Sequence, residues 1–426
     1  LTVHDLRVVR DGLDALREGM RRRGQLEVLA PLIDQAVELD RDRRTTIQAV
    51  EERKAARNAS SQEVARRKKA GQDVSDLVAV GRDLGDEIAR LERELAESEN
   101  ALKAIMLELP NVTLPDVPDG GEEANTVVRS WGTPRETAGV KPHWEVGEAL
   151  GILDLARGAR ISGSGFIVLR GLGARLARGL MTFMIDLHSR EHDYEETWVP
   201  FVVNRASMIG TAQLPKFEDD MYAIKDEDLF LIPTAEVPLT NLYRDEIIDA
   251  ADLPMSFVAY SPCFRREAGA HGKDTRGLIR VHEFDKVELV RYVTPEASPA
   301  EHEALTKHAE RVLQLLELPY RVLLLASGDT GFASAKTYDL EVFAPGVGKW
   351  LEVSSCSNFI DFQARRANIR YRPGAGEKPR FVHTLNGSGV AFPRTMIGIL
   401  EHHQQPDGTI RIPKALQPYV GTDVLR

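Results

Sequence analysis

Residues 261–290, SPCFRREAGAHGKDTRGLIRVHEFDKVELV, decide how this chain is read. They form a strand, a polar glycine-rich loop and a second strand. In the first strand, period-two alternation puts Cys263, Arg265 and Glu267 on one face. In the second, expected to span 278–293, Arg280, His282, Phe284 and Glu288 share a face. Ile279, Val281, Val287 and Leu289 make the opposite, apolar one. One sheet face thus presents two arginines, an aromatic ring and two carboxylates, a costly set to bury without a ligand. Phe284 and Glu288 lie about 13 Å apart at about 3.3 Å per residue. That is roughly the length of an aminoacyl-adenylate, with a stacking ring at one end and an amine-binding carboxylate at the other. A surface hairpin with cross-strand ion pairs is the plainer reading of the same residues.

Working outward, strands are expected at 166–170, 198–200, 228–233, 257–263, 320–325, 337–343, 350–357 and 380–384. Helices are expected at 174–192, 299–316 and 394–403. Several strands follow one another without an intervening helix, which favours an antiparallel α+β sheet. Neither GxxxxGK[ST] nor a strand–GxGxxG–helix unit is present, so any nucleotide is bound outside the P-loop and Rossmann designs.

The first 110 residues differ. Leu84, Ile88, Leu91, Leu95, Leu102, Ile105 and Leu109 step by fours and threes, with Ser98 filling one slot. Leu29, Ile33, Ala36, Ile47, Val50 and Val64 follow the same stepping, interrupted by charged residues. Gly71 marks the turn between them. The expectation is a long antiparallel helical hairpin over 1–110, a proline-rich linker over 111–124, and a second domain over 125–426.

The whole chain carries 55 Lys+Arg against 65 Asp+Glu, a net −10 over 426 residues, which by itself argues against a nucleic-acid partner. The distribution reverses that inference. Residues 41–69 hold ten basic and four acidic side chains, and residues 70–110 hold four basic and ten acidic. Arg66, Arg67, Lys68 and Lys69 cluster just before the turn. Opposite charges pairing across the hairpin explain this pattern; so does a rigid arm whose basic tip grips phosphates. The 2 cysteines, Cys263 and Cys356, stand far apart and fit a reducing cytoplasm, as small packing residues. The N-terminal stretch is charged throughout, without an apolar signal core. No run of about 18 apolar residues occurs, so no membrane span is expected.

The motifs carry a specific resemblance. CFRREAG…DTRGLIRVHEFDKVE resembles motif 2 of class II aminoacyl-tRNA synthetases in the seryl form. NGSGVAFPR (386–394) resembles motif 3, and the 174–192 helix followed by Trp198-Val199-Pro200 resembles motif 1. LIPTAEVPLT (231–240), MIGTAQLPKF (208–217), TYDLEVF (337–343) and LEVSSCSNFIDFQARRANIRYR (351–372) are similar to segments of the same family, in collinear order.

The resemblance implies a class II antiparallel sheet flanked by helices, preceded by a coiled-coil tRNA-binding arm. It implies an ATP-dependent ligase that forms seryl-adenylate and transfers serine to tRNA(Ser), and to tRNA(Sec) where present. Arg265, Arg394 and Glu352 would be the catalytic residues. ATP would be held by Arg265, Arg266, Glu267, Val281, Phe284, Arg394 and the run Glu352, Val353, Ser354, Ser355. L-serine would be held by Thr234, Ala235, Glu236, Arg265, Glu288 and Ser388. Glu352 and Ser355 would contact Mg²⁺, and Arg66, Arg67, Lys68 and Lys69 would contact tRNA. A homodimer follows from motif 1; a membrane or DNA partner is not implied.

Two other readings are open to such a sequence. A synthetase-like ligase that loads amino acids onto a carrier protein would lack the arm and use Cys/His zinc ligands. A non-catalytic relative would have lost active-site charges, yet Arg265, Glu267, Glu288, Glu352 and Arg394 are all present. Three tensions mark the fit. Pro393 stands where motif 3 often has glycine, which a first helical turn accommodates. His271 sits in the variable motif 2 loop, as a solvated side chain. Strict alternation puts Glu352 and Ser355 on opposite faces, so a bulge or strand end is expected near Ser354.

Overall fold

The computed structural model, which describes residues 6–268 and 276–426, separates by its internal contacts into Leu1–Pro110 and Asn111–Arg426. His271 lies outside the described residues. In the first unit, the Ala-, Glu- and Arg-rich sequence forms helices α1 (Leu26–Lys69) and α2 (Ser75–Glu108). At about 1.5 Å per residue, α1 is roughly 66 Å long. Gly71 ends it: a positive φ of 67° turns the chain while the Gly71 and Gln72 N–H groups donate to the Lys68 and Arg67 carbonyls.

Leu29, Ile33, Ala36 and Val50 of α1 and Ile88, Leu91, Leu102 and Ile105 of α2 are buried. Toward the turn, apolar burial gives way to ion pairs: Arg43–Glu99 at 2.9 Å, Arg53–Glu87 at 2.8 Å and Arg67–Asp76 at 3.2 Å. Partner numbers converge on the turn, as an antiparallel pair requires. Asp40, which interrupts the apolar seam, is buried but bonded by Arg10 at 2.7 Å and Arg44 at 3.2 Å. At the tip, Arg66 and Arg67 both pair with Glu63. Lys68 and Lys69 are exposed and have no ion-pair partner among the described residues.

The second unit opens with a packed proline-rich segment. The Asn111 side-chain amide donates to the Ala333 and Phe359 carbonyls at 2.9 Å each, and Val117 is buried. Among the described residues, eight strands form the main sheet: β1 (Thr126–Trp131), β2 (Glu195–Glu196), β3 (Met255–Phe264), β4 (Glu283–Val293), β5 (Tyr320–Leu324), β6 (Lys336–Ala344), β7 (Lys349–Asn358) and β8 (His383–Ala391). Their order is β1-β5-β6-β7-β8-β4-β3-β2, antiparallel except for the short edge pair β2–β3. Helices α3 (Leu172–Glu191), α4 (Ser298–Leu315) and α5 (Phe392–His402) cover one face. Leu176, Leu180, Leu305, Leu313 and Ile397 meet Val287, Leu289, Leu340 and Leu385 there in one core. Each fully buried side chain of this size contributes about 1.5–3 kcal/mol. The α+β class expected from the strand succession is the observed one. No helix among the described residues is long and apolar enough to cross a membrane.

Three local expectations are corrected. The second strand of the opening segment begins at Glu283, so Arg280 and His282 stand outside it. The backbone before it is engaged elsewhere: Leu278 N donates to His143 Nε2, and the Ile279 carbonyl accepts from Arg394 Nε. Residues 198–200 form no strand. Instead, Val202–Asn204 pairs with Leu229–Leu231. The strand expected to end at Thr384 runs on through the motif 3 segment to Ala391 as β8.

Candidate active site

On β4, Val287 and Leu289 enter the helix-covered core, so alternation turns Phe284, Lys286 and Glu288 to the other face. There Phe284 and Lys286 line a cavity of about 750 Å³, and Glu288 lies behind its wall, bonded to the lining residues Thr234, Lys286 and Asn386. Its deep end is polar and buried. Glu288, fully buried, accepts through Oε1 from Asn386 Nδ2 at 3.1 Å and through Oε2 from Thr234 Oγ1 at 3.3 Å. The Lys286 ammonium pairs with Glu288 and donates to Thr234 Oγ1 at 2.9 Å. Glu236 also lines this end and accepts from Gln363 Nε2 at 2.6 Å. Burial first, and then the charge of Glu288, push the Glu236 carboxyl up to about 7.

Arginines line the middle. Arg265 follows β3 directly, and its guanidinium carbon lies 5.1 Å from the centre of the Phe284 ring. Arg394 sits in the first turn of α5, just after Pro393, as the helix-start argument requires. It donates to the Glu352 carbonyl at 2.8 Å and to Glu352 Oε2 at 3.1 Å. The far end is a rim of Phe284, Ile279 and Val281, with the Glu267–Arg280 ion pair beside it. Glu267 adopts a φ of 50°, which departs from the alternation assumed for it.

The β6–β7 ladder contains the expected irregularity. Leu340 pairs with Ser354 while Glu341 pairs with Glu352, which leaves Val353 as an extra residue. The bulge brings Glu352 and Ser355 to the same cavity wall, together with Asp339, the cross-strand partner of Ser355. Burial and the neighbouring Glu352 carboxylate push Asp339 well above the usual carboxylate range, and its Oδ1 has no hydrogen-bond partner among the described residues.

Several sequence-named residues do not reach the cavity. Val353 is in the core, and the Ser354 hydroxyl is turned to the Ser388 carbonyl at 2.6 Å. Arg266 is exposed, with its guanidinium on the Asp219 carbonyl at 3.0 Å. Ala235 is fully buried ahead of the Glu236–Thr240 helix. Ser388 and Thr234 do line it. Lys286, Asn386, Gln363 and Asp339 were not singled out from the sequence. Lys286 was the most accessible of these, since it alternates with Phe284 and Glu288.

Comparison with known proteins matches this geometry. A family model for the seryl-tRNA synthetase N-terminal domain matches residues 3–113, and one for the class II tRNA synthetase core domain (G, H, P, S and T) matches residues 216–403. The serine–tRNA ligase of Gemmatimonas aurantiaca is 67% identical over 424 residues, covering 99% of this chain and 100% of the relative. The chain belongs to the seryl-tRNA synthetase family. That of Thermomicrobium roseum is 55% identical, over 98% of this chain and 93% of the relative. Among solved members of the family, the seryl-tRNA synthetase of Pyrococcus horikoshii complexed with ATP superposes with a TM-score of 0.94 at 39% identity, covering 99% of both chains. The cytoplasmic enzyme of Naegleria fowleri in complex with AMP gives 0.88 at 29% identity, covering 99% of this chain and 98% of that one. Family membership through the arm as well as the core disfavours the carrier-loading alternative, which lacks the arm.

Proposed function

We propose that this family member is a serine–tRNA ligase that works through the cavity on β4. The observation that carries the reading is the placement of the buried Glu288 pocket and the Phe284–Arg265 stack on one strand face. L-serine binds at the deep end, its ammonium against Glu288, with Thr234, Glu236 and Ser388 around its side chain. A pocket built to bond a hydroxyl rejects alanine, because its own polar groups would be left unpaired. The adenine of ATP stacks on Phe284, and Glu267 accepts from its amino group.

Arg265 holds the α-phosphate and the serine carboxylate, since a planar fork suits both oxyanions. Arg394 reaches the outer phosphates. A serine carboxylate oxygen attacks the α-phosphorus, the bond to the bridging oxygen breaks, and pyrophosphate leaves. The terminal ribose hydroxyl of tRNA(Ser) then attacks the seryl carbonyl and AMP leaves. No protein nucleophile is needed, and both cysteines are fully buried. Positioning and charge neutralisation do the work.

Glu352 and Ser355 would hold Mg²⁺. An all-oxygen wall that includes the unpartnered Asp339 Oδ1 suits that hard cation, which supplies charge neutralisation at the phosphates. The arm engages tRNA, two copies of the chain form the dimer, and the protein works in the cytoplasm.

The test is ATP–pyrophosphate exchange with each standard amino acid. Exchange with serine alone is expected, and exchange with another amino acid, or with none, refutes the reading. Sedimentation at twice the chain mass checks the dimer, and a monomer at micromolar concentration refutes it.

A further inference from the structure

Of the charged groups in the serine pocket, Lys286 is the one the reaction above does not use. It is 5% exposed, and burying an ammonium is expensive unless its charge and donors are answered. Here they are answered by the pocket itself. Lys286 donates to Thr234 Oγ1, Thr234 Oγ1 donates to Glu288 Oε2, and Lys286 pairs with Glu288, closing a ring of three. The Glu236 N–H also donates to Thr234 Oγ1, at 3.1 Å. The Thr234 hydroxyl therefore accepts twice and has its proton aimed at Glu288. The charged groups bearing on Glu236 are Glu288 and Lys286 from β4 and Arg265 from the end of β3, while Gln363 bonds it from the Phe362–Ala367 helix.

Charge counting adds the second strand of argument. Two carboxylates, Glu236 and Glu288, share the deep end with one lysine. Arg265 is committed to anionic substrate groups. An incoming amino acid brings one ammonium, which balances one carboxylate and leaves the other to Lys286. We propose that Lys286 is a positioning residue of the amino-acid pocket: its ammonium fixes Thr234 and Glu288 in the receptive arrangement and supplies the second positive charge that the two buried carboxylates require when substrate is bound. The inference rests on the serine-pocket reading.

The experiment measures exchange kinetics of the full chain carrying Lys286→Met, Lys286→Gln or Lys286→Arg over a range of pH. In Lys286→Met the KM for serine rises by about 100-fold, the scale of breaking a buried pair, while the KM for ATP is unchanged. The acid limb of kcat/KM for serine moves to higher pH, because Lys286 is one of the charges that hold the Glu236 proton affinity down. Lys286→Arg returns the limb toward its native position and leaves the KM raised, since a guanidinium does not reproduce a compact ammonium. Lys286→Gln, closer in shape, repeats the Met result should the Met variant fold poorly. Native serine KM and an unmoved limb in both neutral variants overturn the proposal, as does an equal rise in the KM values for serine and ATP. A native protein without serine-dependent exchange overturns the pocket reading itself, a separate result.

Discussion

The tip of the arm offers a quantitative test of how charge is used there. Arg66 and Arg67 are engaged by Glu63, and Arg67 also by Asp76. Lys68 and Lys69 are exposed without ion-pair partners among the described residues. They are the tip cations free to neutralise phosphates. The perturbation is the double change Lys68→Ala and Lys69→Ala. Losing two phosphate contacts flattens the slope of log affinity against log salt by about 1.5–2. Between about 50 and 200 mM salt, a fourfold change, affinity of the native protein for tRNA then falls roughly tenfold more than that of the variant.

The assay is kcat/KM for tRNA aminoacylation at several salt concentrations, with serine-dependent exchange measured in parallel. Exchange should be unchanged, because among the described residues no lining residue of the cavity comes from the arm. Arg66→Ala with Arg67→Ala should give a smaller change in slope. Equal salt slopes for native and Lys variants would refute phosphate contact at the tip. Equal loss of exchange and charging would refute the division of labour between arm and catalytic unit.

Two further outcomes are expected. Glu236→Gln keeps the acceptor for Gln363 and removes a carboxyl whose proton affinity is raised from about 4.5 to about 7 in the folded protein. A raised carboxyl binds protons more tightly folded than unfolded, so its contribution to stability is lost as pH rises through that window. The variant should therefore match the native stability in acid and exceed it above neutrality, by on the order of 3 kcal/mol, with a correspondingly higher melting temperature there, while losing serine activation; equal melting at every pH sinks this assignment. Gly387→Ala places a Cβ 2.4 Å from Leu305 Cδ2 and 3.1 Å from Cys356 Sγ, both fully buried. Overpacking should cost about 1–3 kcal/mol and lower the melting temperature by several degrees, and native-like melting would show that β8 tolerates the extra atom.

How much was legible in the sequence depended on which force fixed each residue. The arm's apolar stepping and opposed charge runs were sufficient for its hairpin, because both act locally along a helix. Alternation along β4 was sufficient for Phe284 and Glu288, and the same rule places Lys286 beside them. The limit of β4 was not legible, since residues 278–282 look strand-like while their backbone is bonded by His143 and Arg394. The extent of β8 was not legible either, since the strand expected at 380–384 runs on to Ala391 across two glycines, and glycine weakens strands in general. Their reason is tertiary: a side chain at Gly387 would strike Leu305 and Cys356, and one at Gly389 would approach His188 Nε2 at 3.0 Å.

The β6–β7 wall shows the most instructive case. Glu352 and Ser355 cannot share a face on a regular strand, so assigning both to one ligand requires a fault in the ladder. The sequence contains that requirement but no residue that announces where the fault lies. Val353 is a good strand former, with nothing of the glycine or proline that often marks a bulge. Its exclusion from the ladder follows from burial. Val353 enters the core, Ser354 is fixed by the Ser388 carbonyl, and Asp339 and Thr337 across the pair hold Ser355 and Ser357 toward the cavity. The oxygen-lined wall is thus a product of packing on its hidden side. Changes at Val353 or Ser354, which do not themselves line the cavity, would act on Glu352 and Ser355 through register, and would separate positioning from direct contact in this part of the site.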